Sequence, residues 1–520
     1  MYADKKLLRA VGYGLWVRTV FRFKLIAHNS QPGARLRFHR RASAAALALF
    51  LTGCTVGPNY ERPGIDSPPK YRFEDAAARD TVNTAWWSQY NDAELNRLIG
   101  IALAENKSVL IAAARVEEFY GRYGVQRGQQ FPQVALSANA GRQRASRVST
   151  PAIPEPLPAT SDFYSIDLGV SFELDLWGRL RRATEAARAD LLAIEENRRT
   201  VILSLVSAVA TSYVNLLSLD RQLDIAQRTV DLRGESLRIF DLRYKGGVIS
   251  EMEFQQVRSE YETALAAVPA LAKQVAQQEN ALSILLGRNP GTIDRGGVLE
   301  MLVLPAVPAG LPSELLERRP DIRQAEQQLV AANARIGVAK AAFYPTISLT
   351  ALLGTASASL SNLFSGAAHT WTYAAALNQP IFTGGTLVGQ LLVSEAQQKQ
   401  ALYGYQQAIQ TAFGDVEDAL VDQAKTRDQL AAQERQVDAL GRYAQLARLR
   451  YDNGYTSYIE VLDAERSLFQ SQIQVAQAQA QLHFALINLY KALGGGWVIE
   501  AEKLAPAPGV DTSRDPPIFP

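Results

Sequence analysis

The chain has one cysteine and three methionines among its 520 residues. A single thiol excludes any internal disulfide, whatever the compartment. The four histidines, His28, His39, His369 and His483, lie far apart, with no spacing that would hold a metal or serve a nucleophile. We therefore expect no enzyme activity, no metal and no cofactor. No uninterrupted apolar run reaches the roughly 18 residues of a helical membrane span. A basic surface is lacking too. Residues 1–53 carry ten of the 54 Lys/Arg and one of the 52 Asp/Glu, so the overall +2 conceals a remainder that is net acidic by about seven. No basic stripe is left for nucleic acid.

Arg35, Arg37, Arg40 and Arg41 precede a short apolar run, Ala44–Leu51, and then Leu51-Thr52-Gly53-Cys54. A basic segment, an apolar stretch and small residues before a cut read as an export signal. The last four residues resemble a bacterial lipobox, in which Cys54 is acylated and becomes the first residue of the mature chain. Residues 1–53 are expected to be a leader, and Cys54 to carry a covalent lipid. A buried free cysteine after a chance apolar stretch is the plain alternative.

The chain contains the same unit twice. Phe131-Pro132 matches Tyr344-Pro345, and Gly141 matches Gly354, at an offset of 213. Arg243-Tyr244 matches Arg450-Tyr451, Gly247 matches Gly454, and Leu286-Gly287 matches Leu493-Gly494, at an offset of 207. The offset changes within a hairpin tip, where insertions and deletions collect.

Each unit contains a hairpin. Tyr164, Ile166, Leu168, Val170, Phe172, Leu174 and Leu176 alternate with Ser165, Asp167, Gly169, Ser171, Glu173 and Asp175. Such a period of two gives one apolar and one wet face, as in a membrane barrel strand. Weaker versions begin at Val134, Ile347 and Trp371. Phe131, Trp177, Tyr344 and Phe382 bracket the set and are candidate membrane-interface aromatics. A soluble sandwich would show the same alternation, but the rest of the chain is almost wholly helical and offers no second sheet. Four strands cannot close a barrel, and open edges are not tolerated in lipid. Strands in the membrane therefore imply several chains that pool them in a cyclic homo-oligomer.

Each hairpin feeds a long helix. Leu180–Leu242 holds no proline, and its small and apolar residues recur at coiled-coil spacing. Its rise predicts a length of about 95 Å. Glycine turns at Gly247 and Gly454 end the long helices. Ser250 with Glu253, and Ser457 with Glu460, predict capping boxes that open the return helices. Pro269 predicts a kink near Val268 that its counterpart Ala476 lacks. The expected organisation is a leader at 1–53 and a lipidated, belt-forming segment at 54–92. Repeat one follows at 93–287, with its hairpin at about 131–176 and helices at about 93–128, 179–242 and 251–287. A belt segment at 288–313 leads to repeat two at 314–493, with its hairpin at about 344–382 and helices at about 314–342, 386–450 and 458–492. A second belt segment, 494–520, ends the chain.

Several stretches together resemble the TolC-like outer-membrane factors, in their NodT-type lipoprotein branch. They are Gly57-Pro58-Asn59-Tyr60-Glu61-Arg62-Pro63, Phe172-Glu173-Leu174-Asp175-Leu176-Trp177-Gly178-Arg179, Arg318-Arg319-Pro320-Asp321-Ile322-Arg323, Val461-Leu462-Asp463-Ala464 and Tyr490-Lys491-Ala492-Leu493-Gly494-Gly495-Gly496-Trp497. The resemblance spans essentially the whole mature length. It implies a membrane α+β fold: a homotrimer whose twelve-strand transmembrane β-barrel, four strands per chain, continues as a long periplasmic α-helical barrel. It also implies a periplasmic membrane-fusion adaptor and an inner-membrane pump of the resistance-nodulation-division (RND) type as partners. The implied role is passive export of drugs or other toxic small molecules through an outer-membrane, lipid-anchored duct.

Carried over by position, the resemblance places a periplasmic gate at Tyr451, Ile459, Asp463 and Arg466. Asp463 and Arg466, three apart on one helix, would otherwise read as a solvated surface pair of little worth. The glycine turns, with Arg243, Tyr244 and Gly247 in one copy and Arg450, Tyr451 and Gly454 in the other, are candidate adaptor-docking tips, or plain helix caps. Two other roles suit parts of the pattern: the duct of a type I protein secretion system, and a structural periplasmic coiled-coil lipoprotein without a pore. The alternating strand Tyr164–Leu176 argues against the last, which needs no lipid-compatible face.

Overall fold

The computed structural model describes residues 55–65, 68, 70–72, 85–148, 154, 156, 158–304, 315–494 and 497–518. All belong to one compact unit, Cys54–Pro520. Cys54 and the leader expected at 1–53 lie outside the described residues. In chain order the principal elements are α1 (Ala93–Glu105), α2 (Lys107–Gly128), β1 (Gln133–Arg144), β2 (Thr160–Leu174), α3 (Arg179–Lys245) and α4 (Glu251–Leu285). Then come α5 (Pro320–Ala341), β3 (Thr346–Ser357), β4 (His369–Asn378), α6 (Thr386–Asp452), α7 (Tyr458–Ala492) and α8 (Trp497–Leu504).

The four strands form one antiparallel sheet in the order β1-β2-β3-β4. Its register sorts the side chains cleanly. Leu136, Leu168, Leu353 and Trp371 lie in one cross-strand row, and Val134, Val170, Ala351 and Tyr373 in another on the same face. On the opposite face, beyond the Leu136 row, runs Ser137, Asp167, Gly354 and Thr370. The apolar rows stand open: Leu136, Leu353, Trp371 and Tyr373 are all more than 60% exposed. Leaving that many apolar side chains in water is unfavourable by roughly 1.5–3 kcal/mol each, so this face belongs against lipid. Among the described residues, β1 and β4 each keep one unpaired edge. Gly354 is required by the packing, because a Cβ there would press on the Ile166 carbonyl and the Asp167 carboxylate.

The helices repeat in length as well as in sequence. α3 and α6 have 67 residues each, and α4 and α7 have 35 each. At 1.5 Å per residue the long pair reach about 100 Å. A window of α3 is apolar and long enough to cross a bilayer, but 67% of it is buried inside the protein. Here Ile202, Val206, Val209, Tyr213 and Leu216 form the core with Trp86, Leu486, Tyr490 and Trp497. Trp86 stacks on Tyr490 at 4.9 Å. His483 joins this core beside Tyr90, and burial pushes its imidazole down to about 4, so it is neutral at pH 7.

The helix expected at about 93–128 is two helices, and so is the segment expected at about 314–342. Asn106 is extended (φ −61°, ψ 129°), and its side chain accepts from the Ser108 and Val109 N–H groups, capping α2. Its amide also donates to the Leu285 carbonyl at the end of α4. In the second copy Arg319 stands at this point, after a single helical turn (Leu315–Arg318), and donates to the Ala492 carbonyl at the end of α7. Pro320 follows at the first position of α5, where its missing N–H costs nothing. In both copies, then, the end of the return helix meets the start of an earlier helix, α4 at α2 and α7 at α5. Each seam is closed by a left-handed glycine, Gly287 (φ +78°) or Gly494 (φ +62°). The segment expected as belt at 494–520 contains a helix, α8. It packs Trp497, Val498 and Ala501 into the core.

α4 is continuous from Glu251 to Leu285 with Pro269 inside it. One other expectation is corrected. The capping box is present at Ser250–Glu253 but absent at Ser457. There Glu460 turns to the Arg450 guanidinium instead, at 3.1 Å. A charged donor outcompetes a backbone N–H.

The segment Thr55–Arg62 lies along helices of both copies. Val56 N–H donates to the Trp177 carbonyl, Arg182 donates to Asn59, and Asn333 donates to the Pro58 carbonyl. Tyr60 donates to Glu326, and Arg62 pairs with Glu317 and Glu326.

Candidate functional site

The candidate functional residues fall in two regions: the helix tips and the sheet with its inner rim. At the tips, Gly247 (φ +68°) and Gly454 (φ +76°) adopt the left-handed conformation that stops α3 and α6. The copies meet just above these turns. Phe240, Val257, Ala447, Tyr458, Val461 and Ala464 are buried together. Over this plug the Arg243 Nη1 donates to the Tyr451 hydroxyl at 2.9 Å. The same guanidinium lies 5.8 Å from both the Phe240 and Tyr451 ring centres. Tyr451 in turn packs edge-on against Tyr458 at 4.9 Å. A candidate docking residue of copy one thus holds a candidate gate residue of copy two.

The other candidate tip residues are placed differently. Asp463 and Arg466 pair with each other at 3.2 Å, and both are more than half exposed. Ile459 is exposed. Tyr244 stacks on Phe254 at 5.1 Å. Arg450 is engaged by Glu460.

Sequence reasoning missed a charged cluster above the plug. Arg233, on α3, is buried and bonds both the carbonyl and the carboxylate of Glu260 on α4, while lying 5.7 Å from the Phe469 ring. Glu465 on α7 faces this group. Burial pushes its carboxyl above the ordinary 4.5, partly offset by Arg448 and Arg233 and reinforced by Glu260. Nothing in the periodicity separates these residues from their solvated neighbours, because their burial depends on helices far apart in the chain. A raised folded-state value means stability is greatest in acid and falls as pH climbs through that value. Glu465→Gln is therefore expected to raise the melting temperature more at pH 8 than at pH 4.5. Equal shifts at the two pH values would refute the burial argument.

At the inner rim Trp177 stacks on Tyr344 at 4.7 Å and donates its indole N–H to the Pro345 carbonyl. Phe382 is 90% exposed, and Phe131 lies under the Arg127 guanidinium. The Arg179–Glu173 pair and the Asp175 carboxylate, which accepts from the Leu180 and Arg181 N–H groups, fix the turn from β2 into α3. Thr55 lies against Gly178 at this same rim. No group of His, Cys, Asp and Glu fit to hold a metal occurs among the described residues.

A sheet with one open apolar face, joined through an aromatic rim to helical hairpins about 100 Å long, defines an outer-membrane channel subunit. Residues 98–288 and 311–495 match the outer membrane efflux protein family, and the chain belongs to it. It is 37% identical over 464 residues to the solvent efflux pump outer membrane protein SrpC of Pseudomonas putida, covering 87% of this chain and 97% of that one. It is 36% identical over 457 residues to the cation efflux system protein CusC of Escherichia coli, with the same coverage. Among solved structures, a crystal structure of CusC aligns with a TM-score of 0.76 at 34% identity, over 85% of this chain and 100% of that one. The open state of the Neisseria gonorrhoeae MtrE outer membrane channel aligns at 0.78 and 33%, over 85% and 99%. The protein is thus an outer-membrane efflux channel, as the sequence resemblance implies.

Proposed function

We propose that this protein is the exit duct of a tripartite efflux system, conducting toxic small molecules passively from an inner-membrane RND-type pump and a periplasmic adaptor to the outside. Three chains pool their sheets into a twelve-strand barrel, and their helices form the periplasmic tube. The observation that carries this reading is the sheet: an open apolar face with two unpaired edges is stable in lipid only once closed. The periplasmic gate comprises Tyr451, Ile459, Asp463 and Arg466, with Arg243 holding Tyr451. The turns at Gly247 and Gly454, with Arg243, Tyr244, Arg450 and Tyr451, form the surface that meets the adaptor. Solvents and cations, named for the relatives, are the substrate classes to try first. The test is single-channel recording of the purified protein in a planar bilayer, beside drug and solvent susceptibility of a strain lacking the gene. A folded protein that forms no channel and restores no resistance would overturn the reading.

The lipid anchor belongs to the same proposal. Thr55 packs on Gly178, next to the stacked Trp177–Tyr344 pair, at the inner rim. An acyl chain on Cys54 would enter the inner leaflet there. Cys54→Ser is expected to lose palmitate labelling and to deplete the outer-membrane fraction several-fold; unchanged labelling would refute acylation at this residue.

A further inference from the structure

The apolar rows of β1 end in charge. Val134, Leu136, Ala138 and Ala140 occupy one face of the strand, and by the same alternation Arg142 and Arg144 continue that face. Ten residues separate Val134 from Arg144. Along a strand tilted at about 40° they rise about 25 Å, the height of the apolar band of an outer-membrane barrel. The two arginines therefore stand at the far edge of that band, on its outer side. Among the described residues one acid meets them, and only in part. Arg142 touches Asp162 only at 3.4 Å and keeps 75% of its side chain exposed. Arg144 has no hydrogen-bond or ion-pair partner among the described residues. The neighbouring tip, residues 356–368, contains no charged residue. A chain that is net acidic beyond its leader has here placed a basic surface.

We propose that Arg142 and Arg144 form a binding site for the phosphate groups of outer-leaflet lipopolysaccharide. The planar guanidinium forks suit phosphate oxygens, and a headgroup at this depth would be met by both side chains of one strand face. The site fixes the depth of the barrel and seals its lipid boundary. This inference rests on the reading of the sheet as a barrel wall.

The test is a fluorescence-anisotropy titration of the full-length, detergent-solubilised protein with labelled rough lipopolysaccharide. Arg142→Gln/Arg144→Gln is expected to bind roughly tenfold to thirtyfold more weakly than wild type. Lipopolysaccharide stripped of its phosphates should bind wild type as weakly as the intact form binds the variant. Arg427→Gln/Arg435→Gln, which removes two exposed charges from α6, should bind like wild type. Equal affinity of wild type and Arg142→Gln/Arg144→Gln, equal affinity for the stripped lipid, or an equal loss in the α6 variant would each overturn the site. Channel formation by the same preparations in phosphatidylcholine bilayers reports the barrel separately. Channels without phosphate-dependent binding sink the lipid site alone, whereas a wild type that forms none sinks the barrel on which it stands.

Discussion

Recorded in a planar bilayer, the Arg243→Ala/Tyr451→Phe variant is expected to conduct several-fold more current than wild type. The substitutions remove a 2.9 Å hydrogen bond and the guanidinium that covers the Tyr451 and Phe240 rings. An exposed bond and cation–π contact of this kind together contribute about 1.5–2 kcal/mol. Repeated in the three chains of the proposed trimer, that is about 5 kcal/mol, enough to shift a closed-to-open ratio by three to four powers of ten. The buried plug beneath, from Phe240 to Ala464, is untouched, so folding should survive. Asp463→Ala/Arg466→Ala gives the contrast. That pair is exposed and bonds only within its own helix, and contacts of this type contribute about 0.3–0.5 kcal/mol. Its effect on conductance should be much smaller. If it opens the channel and the Arg243/Tyr451 variant does not, the clamp is misplaced and the acid–base pair meets a neighbouring chain.

Gly494→Val is expected to prevent assembly of the folded protein, and Gly287→Val to do the same. Each glycine is left-handed at the seam between two stacked helices. A Cβ at Gly494 would fall on the Arg319 backbone and side chain, and one at Gly287 on the Glu105 carbonyl. The backbone strain of a β-branched residue there is about 1–3 kcal/mol. The clash adds several more, because the atom displaced is main chain in both seams. Gly121→Ala is the control: an exposed helical glycine with open space around it, where alanine is neutral or adds about 0.5–1 kcal/mol of stability. Membrane yield and thermal unfolding of the purified variants decide the point. A Gly494→Val protein that assembles with the wild-type melting temperature would show the seam to be dispensable.

The strands and long helices were legible because each is governed by a local rule. Alternation from Tyr164 to Leu174 needs only the pleat, and Gly247 or Gly454 stops a helix through its own conformation. The breaks at Asn106 and Arg319 were hidden because both residues also occur inside helices. What selects the break is a carbonyl at the end of another helix, 179 residues away for Asn106 and 173 for Arg319. The same holds at the tips. A capping box is visible at Ser457–Glu460, but Arg450 takes the carboxylate. The family resemblance singles out Tyr451, while its partner Arg243 lies 208 residues earlier, where the sequence marks only a docking turn.

The segment Thr55–Arg62 has a consequence for the order in which the molecule is built. It precedes every helix and strand named above, yet its contacts include Glu317, Glu326 and Asn333, across separations of 255 to 275 residues. None of these can form until α5 and the helical turn before it have been exported behind the whole of the first copy. Closing so long a loop is entropically unfavourable and slow. An early piece of the chain is therefore among the last to be fully seated. Until then it is held only by first-copy contacts, at Trp177, Gly178 and Arg182, and a membrane tether on the residue before Thr55 would shorten that search.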